Sequence, residues 1–324
     1  MRHKLTTLFL LLSVLSISVS AQDADAESDT VKRWQYAGFG TANLNQSAFV
    51  NWAAGGESSF AVSFVGNVNW SYTHKKHKWE NNLDMSYGIQ RIGGGDYLKN
   101  EDKIDFLSKY GYELKKEKIF ATLLTNFKSQ FAKGYEFPDD GSQRMVSRWL
   151  APGYLLTSAG IDFKPVKYLS IFVSPATGKF TFVRDQNIAN RGTYGNRPAV
   201  YDETTGELLE EGKTTRSEFG AYVNIMFQKE IFKNVTVMTK LDLFNNYTDP
   251  NKPNRKNIDI NWNTVIDMKI NSFLSASIMT QLIYDNDILI DVTGDGNPDG
   301  PRTQFKEILG IGLTYKFSNK DKEE

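Results

Sequence analysis

Asp291–Gly300 reads D-V-T-G-D-G-N-P-D-G. Asp291, Asp295, Asn297 and Asp299 are hard oxygen donors at close spacing, and Gly294, Gly296 and Gly300 permit the tight backbone path that would turn them onto one ion. The chemistry on offer is Ca²⁺ binding. The segment lacks the distal bidentate Glu of an EF-hand loop, and its flanks read as strands rather than helices. An ordinary polar turn uses the same Asp and Gly residues. Any cofactor is therefore expected to be Ca²⁺ or none.

A second set of charges recurs at every other position of longer segments. Asp84, Lys109, Glu113, Lys240, Asp242, Asp259, Asp267 and Lys269, with Glu80 and Glu218, all lie on the polar side of an alternating pattern. Successive strand residues point to opposite faces, so these side chains share one surface. Both signs are present. The charges could line a polar pore and set its selectivity, or pair with one another and fill it. A narrow or filled interior is the expectation.

Covalent and acid–base catalysis find little support. The chain has no Cys, and its three His are His3, His74 and His77. His74 and His77 lie in or beside one short turn, which the topology places on the periplasmic side, the wrong side for a substrate arriving from outside. An enzyme is not expected, and most transition-metal sites lack their usual ligand. Lys and Arg number 38 against 38 Asp and Glu, a balance that gives no basic footprint for nucleic acid.

The elements that must carry these charges read as membrane strands. In Lys256–Ile270, Ile258, Ile260, Trp262, Thr264, Ile266, Met268 and Ile270 fall on one side. Asn257, Asp259, Asn261, Asn263, Val265, Asp267 and Lys269 fall on the other. A strand with lipid outside and polar groups inside needs this pattern over roughly 9–11 residues. It recurs over Trp34–Ala48, Ser59–His74, Lys78–Arg91, Glu101–Leu114, Lys118–Lys133, Gly153–Phe163, Tyr168–Phe182, Arg216–Lys229, Val235–Tyr247, Ser272–Tyr284 and Gln304–Phe317. Short turns (75–77, 115–117, 164–167, 231–234, 271) alternate with longer loops (93–100, 134–152, 184–215, 249–255, 285–303). The longest, 184–215, reads as too polar to be buried. The fold class is all-β: a transmembrane antiparallel up-and-down β-barrel of about twelve strands, as in outer membranes. An even count places both termini in the periplasm. Aromatic residues make up 13 % of the chain, which suits girdles at two membrane interfaces.

Residues 1–21 read as a cleaved signal peptide: Arg2, His3 and Lys4, an apolar run Leu5–Val19, then Val19-Ser20-Ala21. Residues 22–33 read as a flexible periplasmic lead-in, 34–318 as the barrel and 319–324 as a charged tail.

Asn43–Ser59, N-L-N-Q-S-A-F-V-N-W-A-A-G-G-E-S-S, and Arg302–Glu307 running into G-I-G-L-T-Y-K-F carry a resemblance. They resemble a domain-of-unknown-function family of Bacteroidota outer-membrane proteins. The resemblance implies a barrel in the outer membrane and supplies no activity, substrate or catalytic residue. Within it, Asn51, Trp52, Gly55, Gly56 and Glu57 have no evident chemistry. Barrel closure, or a docking surface at the periplasmic rim, is their expected role. The chain as a whole is expected to meet outer-membrane lipid and an envelope protein partner, in a structural or partner-binding role. A small-solute channel is the alternative.

Overall fold

The computed structural model describes residues 33–48, 57–137, 142–290, 292 and 299–319. The expected signal peptide, all of the lead-in but Arg33, and all of the tail but Asn319 lie outside them.

Twelve long strands form one closed antiparallel barrel. They are β1 (Trp34–Ser47), β2 (Ser59–His74), β3 (His77–Ile92), β4 (Leu98–Lys115), β5 (Ile119–Ser129) and β6 (Gly153–Val166). β7 (Leu169–Phe182), β8 (Thr215–Phe232), β9 (Val235–Asn246), β10 (Asp259–Lys269), β11 (Leu274–Tyr284) and β12 (Gln304–Ser318) complete it. Each strand pairs with its neighbours in sequence, and β1 closes on β12, with Thr41 opposite Thr314. Closure leaves no open edge, as a strand in lipid requires, because water is not there to satisfy a bare ladder. Among the described residues no helix is long and apolar enough to cross a membrane.

The turns explain the compact end. His74 pairs with His77 across a two-residue loop, and Lys75 takes φ 53, the left-handed conformation that such hairpins need. Glu117 (φ 56) and Asn234 (φ 67) do the same in the next turns. The chain ends of β1 and β12 lie at this short-turn end.

The outer face is apolar and the inner face polar. Leu44, Phe64, Leu123, Val173, Trp262, Leu309, Ile311 and Leu313 are exposed on the outside. Aromatic rings gather outside near the short-turn end: Trp34 lies 5.0 Å from Tyr72 and 6.0 Å from Trp79 between ring centroids. Phe219 with Tyr247, and Phe127 with Trp149, sit toward the long-loop end. An apolar band with aromatic rings at its margins and charges within is a transmembrane barrel.

The long loops carry structure of their own. Gly134–Glu136 pairs with Arg144–Ser147, Val200–Tyr201 with Leu208–Glu210, and Leu289–Ile290 with Gly300–Pro301. Helix α1 (Gln186–Arg191) is capped by the Asp185 side chain, which accepts from the Ile188 N–H, and ends at Gly192 with φ 67. The polarity of 184–215 is misleading. Ile188 and Ala189 are fully buried with Ala151 and Val183, and Met145 and Tyr194 pack against them. Two loops cover each other's apolar residues, so neither reads as buried alone.

Candidate functional site

The inward-facing side chains form the candidate site. Asp105 on β4, 1 % exposed, is the hub at mid-barrel. It accepts from Lys240 Nζ on β9 at 2.9 and 3.1 Å and from Asn126 Nδ2 on β5 at 2.6 Å. Asp242, next on the inner face of β9, accepts from Lys128 Nζ at 2.8 Å, Tyr222 Oη at 2.6 Å and Asn224 Nδ2 at 2.9 Å. β4 and β9 stand on nearly opposite sides of a twelve-stranded wall, so these bonds cross the lumen. Beside them Leu107, Leu124, Phe172, Tyr222 and Phe244 form a buried apolar cluster against the β4–β9 wall.

The other predicted charges occupy several levels. Lys109 is buried, donates to Ser170 Oγ at 3.0 Å and lies 3.8 Å from Asp162. Asp84 accepts from Asn67 Nδ2 at 2.6 Å. Asp259 and Glu218 both face Lys179, at 2.9 and 3.5 Å, toward the long-loop end. Asp267 takes Lys316 of β12 at 2.5 Å. Glu113 lines the lumen at the short-turn end and accepts from the Glu117 N–H at 3.1 Å, closing that turn. Lys269 is exposed at the short-turn rim, and its side chain makes no ion pair among the described residues. Glu80 meets Lys78 at 2.9 Å and also Lys164.

The partners Glu101, Lys128, Asp162, Lys179, Lys306 and Lys316 did not stand out in the sequence. Parity along β4, β5, β6, β7 and β12 was the available signal, since each falls on the inner face of its strand.

Toward the short-turn end the lumen widens into a cavity of about 1540 Å³, to which all twelve strands contribute. It rises highest along β2–β4, β11 and β12, reaching Ser86, Gln281 and the Lys306–Glu101 pair at 2.7 Å. It is lined by twelve Lys and six carboxylates (Glu80, Asp84, Glu101, Glu113, Glu117 and Glu230), a formal excess of six positive charges.

At the long-loop end Arg216 ties loops together, donating to Gly195 O at 2.9 Å, to Glu218 and to Asp287. Tyr194 donates to Val146 O at 2.8 Å, and burial pushes its phenol well above the usual range, so it remains a donor. The exposed Asp202 carboxylate is held below its usual range by backbone N–H groups of Thr205 and Thr204, a turn-closing role.

Of the Ca²⁺ candidates, Asp291, Asp295 and Asn297 lie outside the described residues. Asp299 accepts from the Val292 N–H at 2.7 Å. Among the described residues no group of acidic and His side chains is placed to hold a metal. Asn51, Trp52, Gly55 and Gly56 also lie outside the described residues. Glu57 is exposed. The described residues nearest this segment, Ser47 of β1 and Ser59 of β2, pair with each other at the long-loop end of the barrel.

Residues 44–135 match the model of a family described as "Protein of unknown function (DUF3078)". That stretch holds the crossing residue Asp105 and runs through β5. No curated protein matches the chain. Among solved structures, the translocator domain of the autotransporter NalP from Neisseria meningitidis is 7% identical with TM-score 0.37, over 97% of this chain and 96% of that one. An outer-membrane channel from Pseudomonas putida F1 is 10% identical with TM-score 0.38, over 92% of this chain and 100% of that one. The monoaromatic hydrocarbon channel CymD is 8% identical with TM-score 0.32, over 90% and 89%.

Proposed function

We propose that this chain is an outer-membrane barrel that holds a ligand or an envelope protein partner, with a lumen too narrow for a general pore. The observation that carries this reading is the bonding of Lys240 and Lys128 across mid-lumen to Asp105 and Asp242. The short-turn end, where the described chain begins and ends, faces the periplasm in this reading, and the structured loops face outward. Membrane lipid is the partner of the outer face. This reading gives the barrel no catalytic role; His77 lies 2.7 Å from Tyr110 Oη in the aromatic margin of the short-turn end.

A small-solute channel is the second reading. What favours it is the rise of the cavity along β11 and β12 to Glu101 and Lys306, beside the filled wall rather than through it. Planar-bilayer recordings separate the two. The expected wild-type result is no steady unitary conductance. A quadruple variant, Asp105→Ala, Lys128→Ala, Lys240→Ala and Asp242→Ala, should conduct, because its lumen has lost both crossing pairs. A steady open pore in the wild type would make the channel the correct reading.

Ca²⁺ at residues 291–300 belongs to this proposal. Binding would stabilise the folded loop by mass action. Asp295→Ala should therefore raise protease cleavage of this loop in Ca²⁺ while leaving barrel assembly intact. Wild-type cleavage that is identical in Ca²⁺ and in chelator would reduce the segment to a polar turn.

A further inference from the structure

We propose that the short-turn cavity binds an anionic amphiphile, a carboxylate or similar head carrying an apolar tail, and takes it head first. The proposal rests on the reading of the barrel as a ligand holder and names the chemical class of that ligand.

Two adjacent rows on the β9–β12 wall carry it. Met238 pairs with Val265, Val265 with Met279, and Met279 with Ile308. These four apolar side chains face inward, line the cavity and are only half-buried. Inward positions of a lumen filled with water or ion pairs gain nothing from such a row, whereas Met lines adaptable apolar binding surfaces well. One inward step deeper, Lys240 pairs with Asn263, Asn263 with Gln281, and Gln281 with Lys306. The apolar row is thus nearer the mouth, with a polar, cationic row behind it.

The charge that is left over decides the ligand. Lys240 and Lys306 are matched by Asp105 and Glu101. Lys103, on β4, extends across the lumen to Asn263 Oδ1 at 3.3 Å. It makes no ion pair among the described residues. A cation facing a neutral oxygen, two residues along the inner face from Val265, is a place for one anionic head. The neighbours of Lys103 on the same face of β4, Glu101 and Asp105, are held by Lys306 and Lys240, and Asp84, also lining the cavity, accepts from Asn67. Nearer the mouth, Lys75, Lys76, Lys116 and Lys118 add positive charge that draws anions in. A polyanionic peptide fits less well, because the other deep lysines are taken and the apolar row would be left wet. The volume of about 1540 Å³ exceeds the roughly 300–1,000 Å³ of ordinary small-molecule pockets, which leaves room for a tail.

Radiolabelled laurate and equilibrium dialysis test this on the barrel in phosphatidylcholine nanodiscs, with empty nanodiscs as background. Saturable binding above background is expected, with dodecanol competing at least roughly tenfold less well for want of a charge-assisted bond. Lys103→Gln should weaken laurate binding by roughly tenfold, and Lys103→Arg should retain it. Met279→Gln, equal in length and polar, should also weaken it. Met238→Gln in the same row replaces that variant if it does not give the heat-modifiable folded band. Binding no greater than in empty nanodiscs overturns the proposal. So does wild-type affinity in Lys103→Gln or in the folded row variant, or displacement of laurate by poly-glutamate as effective as by laurate itself. A conducting barrel that binds laurate would overturn the closed-lumen reading and leave this inference standing. A non-conducting barrel that ignores laurate would do the reverse.

Discussion

Asp105→Ala should cost the folded barrel about 3–5 kcal/mol, the usual penalty for stranding a buried charge. The substitution removes the acceptor of both Lys240 hydrogen bonds and of Asn126 at once. Lys128, 4.0 Å from Asp105, keeps Asp242 but loses its second carboxylate. Urea titration of the heat-modifiable folded fraction in lipid measures the cost. Adding Lys240→Met should recover a large part of it, since the two residues share one interaction and their effects do not add. A single-variant cost below about 1 kcal/mol would mean that water already fills the mid-lumen and screens the pair.

The two faces of β10 should respond very differently to substitution. Ile266 points outward, opposite Val237 and Ile278. Ile266→Lys puts an ammonium in the apolar band and should cost about 2–4 kcal/mol if it sits near mid-membrane. Asn261 points inward, accepting from Asn263 Nδ2 at 2.7 Å and Gln281 Nε2 at 3.3 Å. Asn261→Ser loses neutral hydrogen bonds in a polar lumen and should cost about 1 kcal/mol. The same urea titration ranks them, and equal costs would show that the register of β10 is wrong.

The strands were legible in the sequence because alternation is local. Ser59–His74 is read with both ends in place, and Gly153, Val235, Tyr284 and Gln304 each mark a strand end where the alternation begins or stops. What the sequence hid depends on distance along the chain. Lys240 and Asp105 are 135 residues apart, and Lys306 and Glu101 are 205 apart. Alternation says which face a charge takes but not which strand stands opposite. The buried contacts of Ile188 and Ala189 were hidden for the same reason, because their cover is Ala151 and Val183 from other segments. Val265 was the one visible irregularity, an apolar residue on the polar side of β10. Its partners Met238, Met279 and Ile308 come from three other strands, so the row appears only once the ladders are aligned.

The ladder between β1 and β12 has a consequence for how the molecule is made. Every other ladder of the barrel joins strands that follow one another in the chain, and can form hairpin by hairpin as the segments come together. The β1–β12 ladder joins Thr41 to Thr314, 273 residues apart. Its register runs only from Ala37–Ser318 to Leu44–Ile311, whereas β1 meets β2 from Trp34 to Ser47. Loop-closure entropy is therefore concentrated in one late event. Until it happens, both edges of the sheet hold bare N–H and C=O groups that lipid cannot satisfy. Assembly then resembles closing a ring more than zipping a sheet, and any factor that shields those two edges during insertion would act on the rate of folding and leave the finished barrel unchanged.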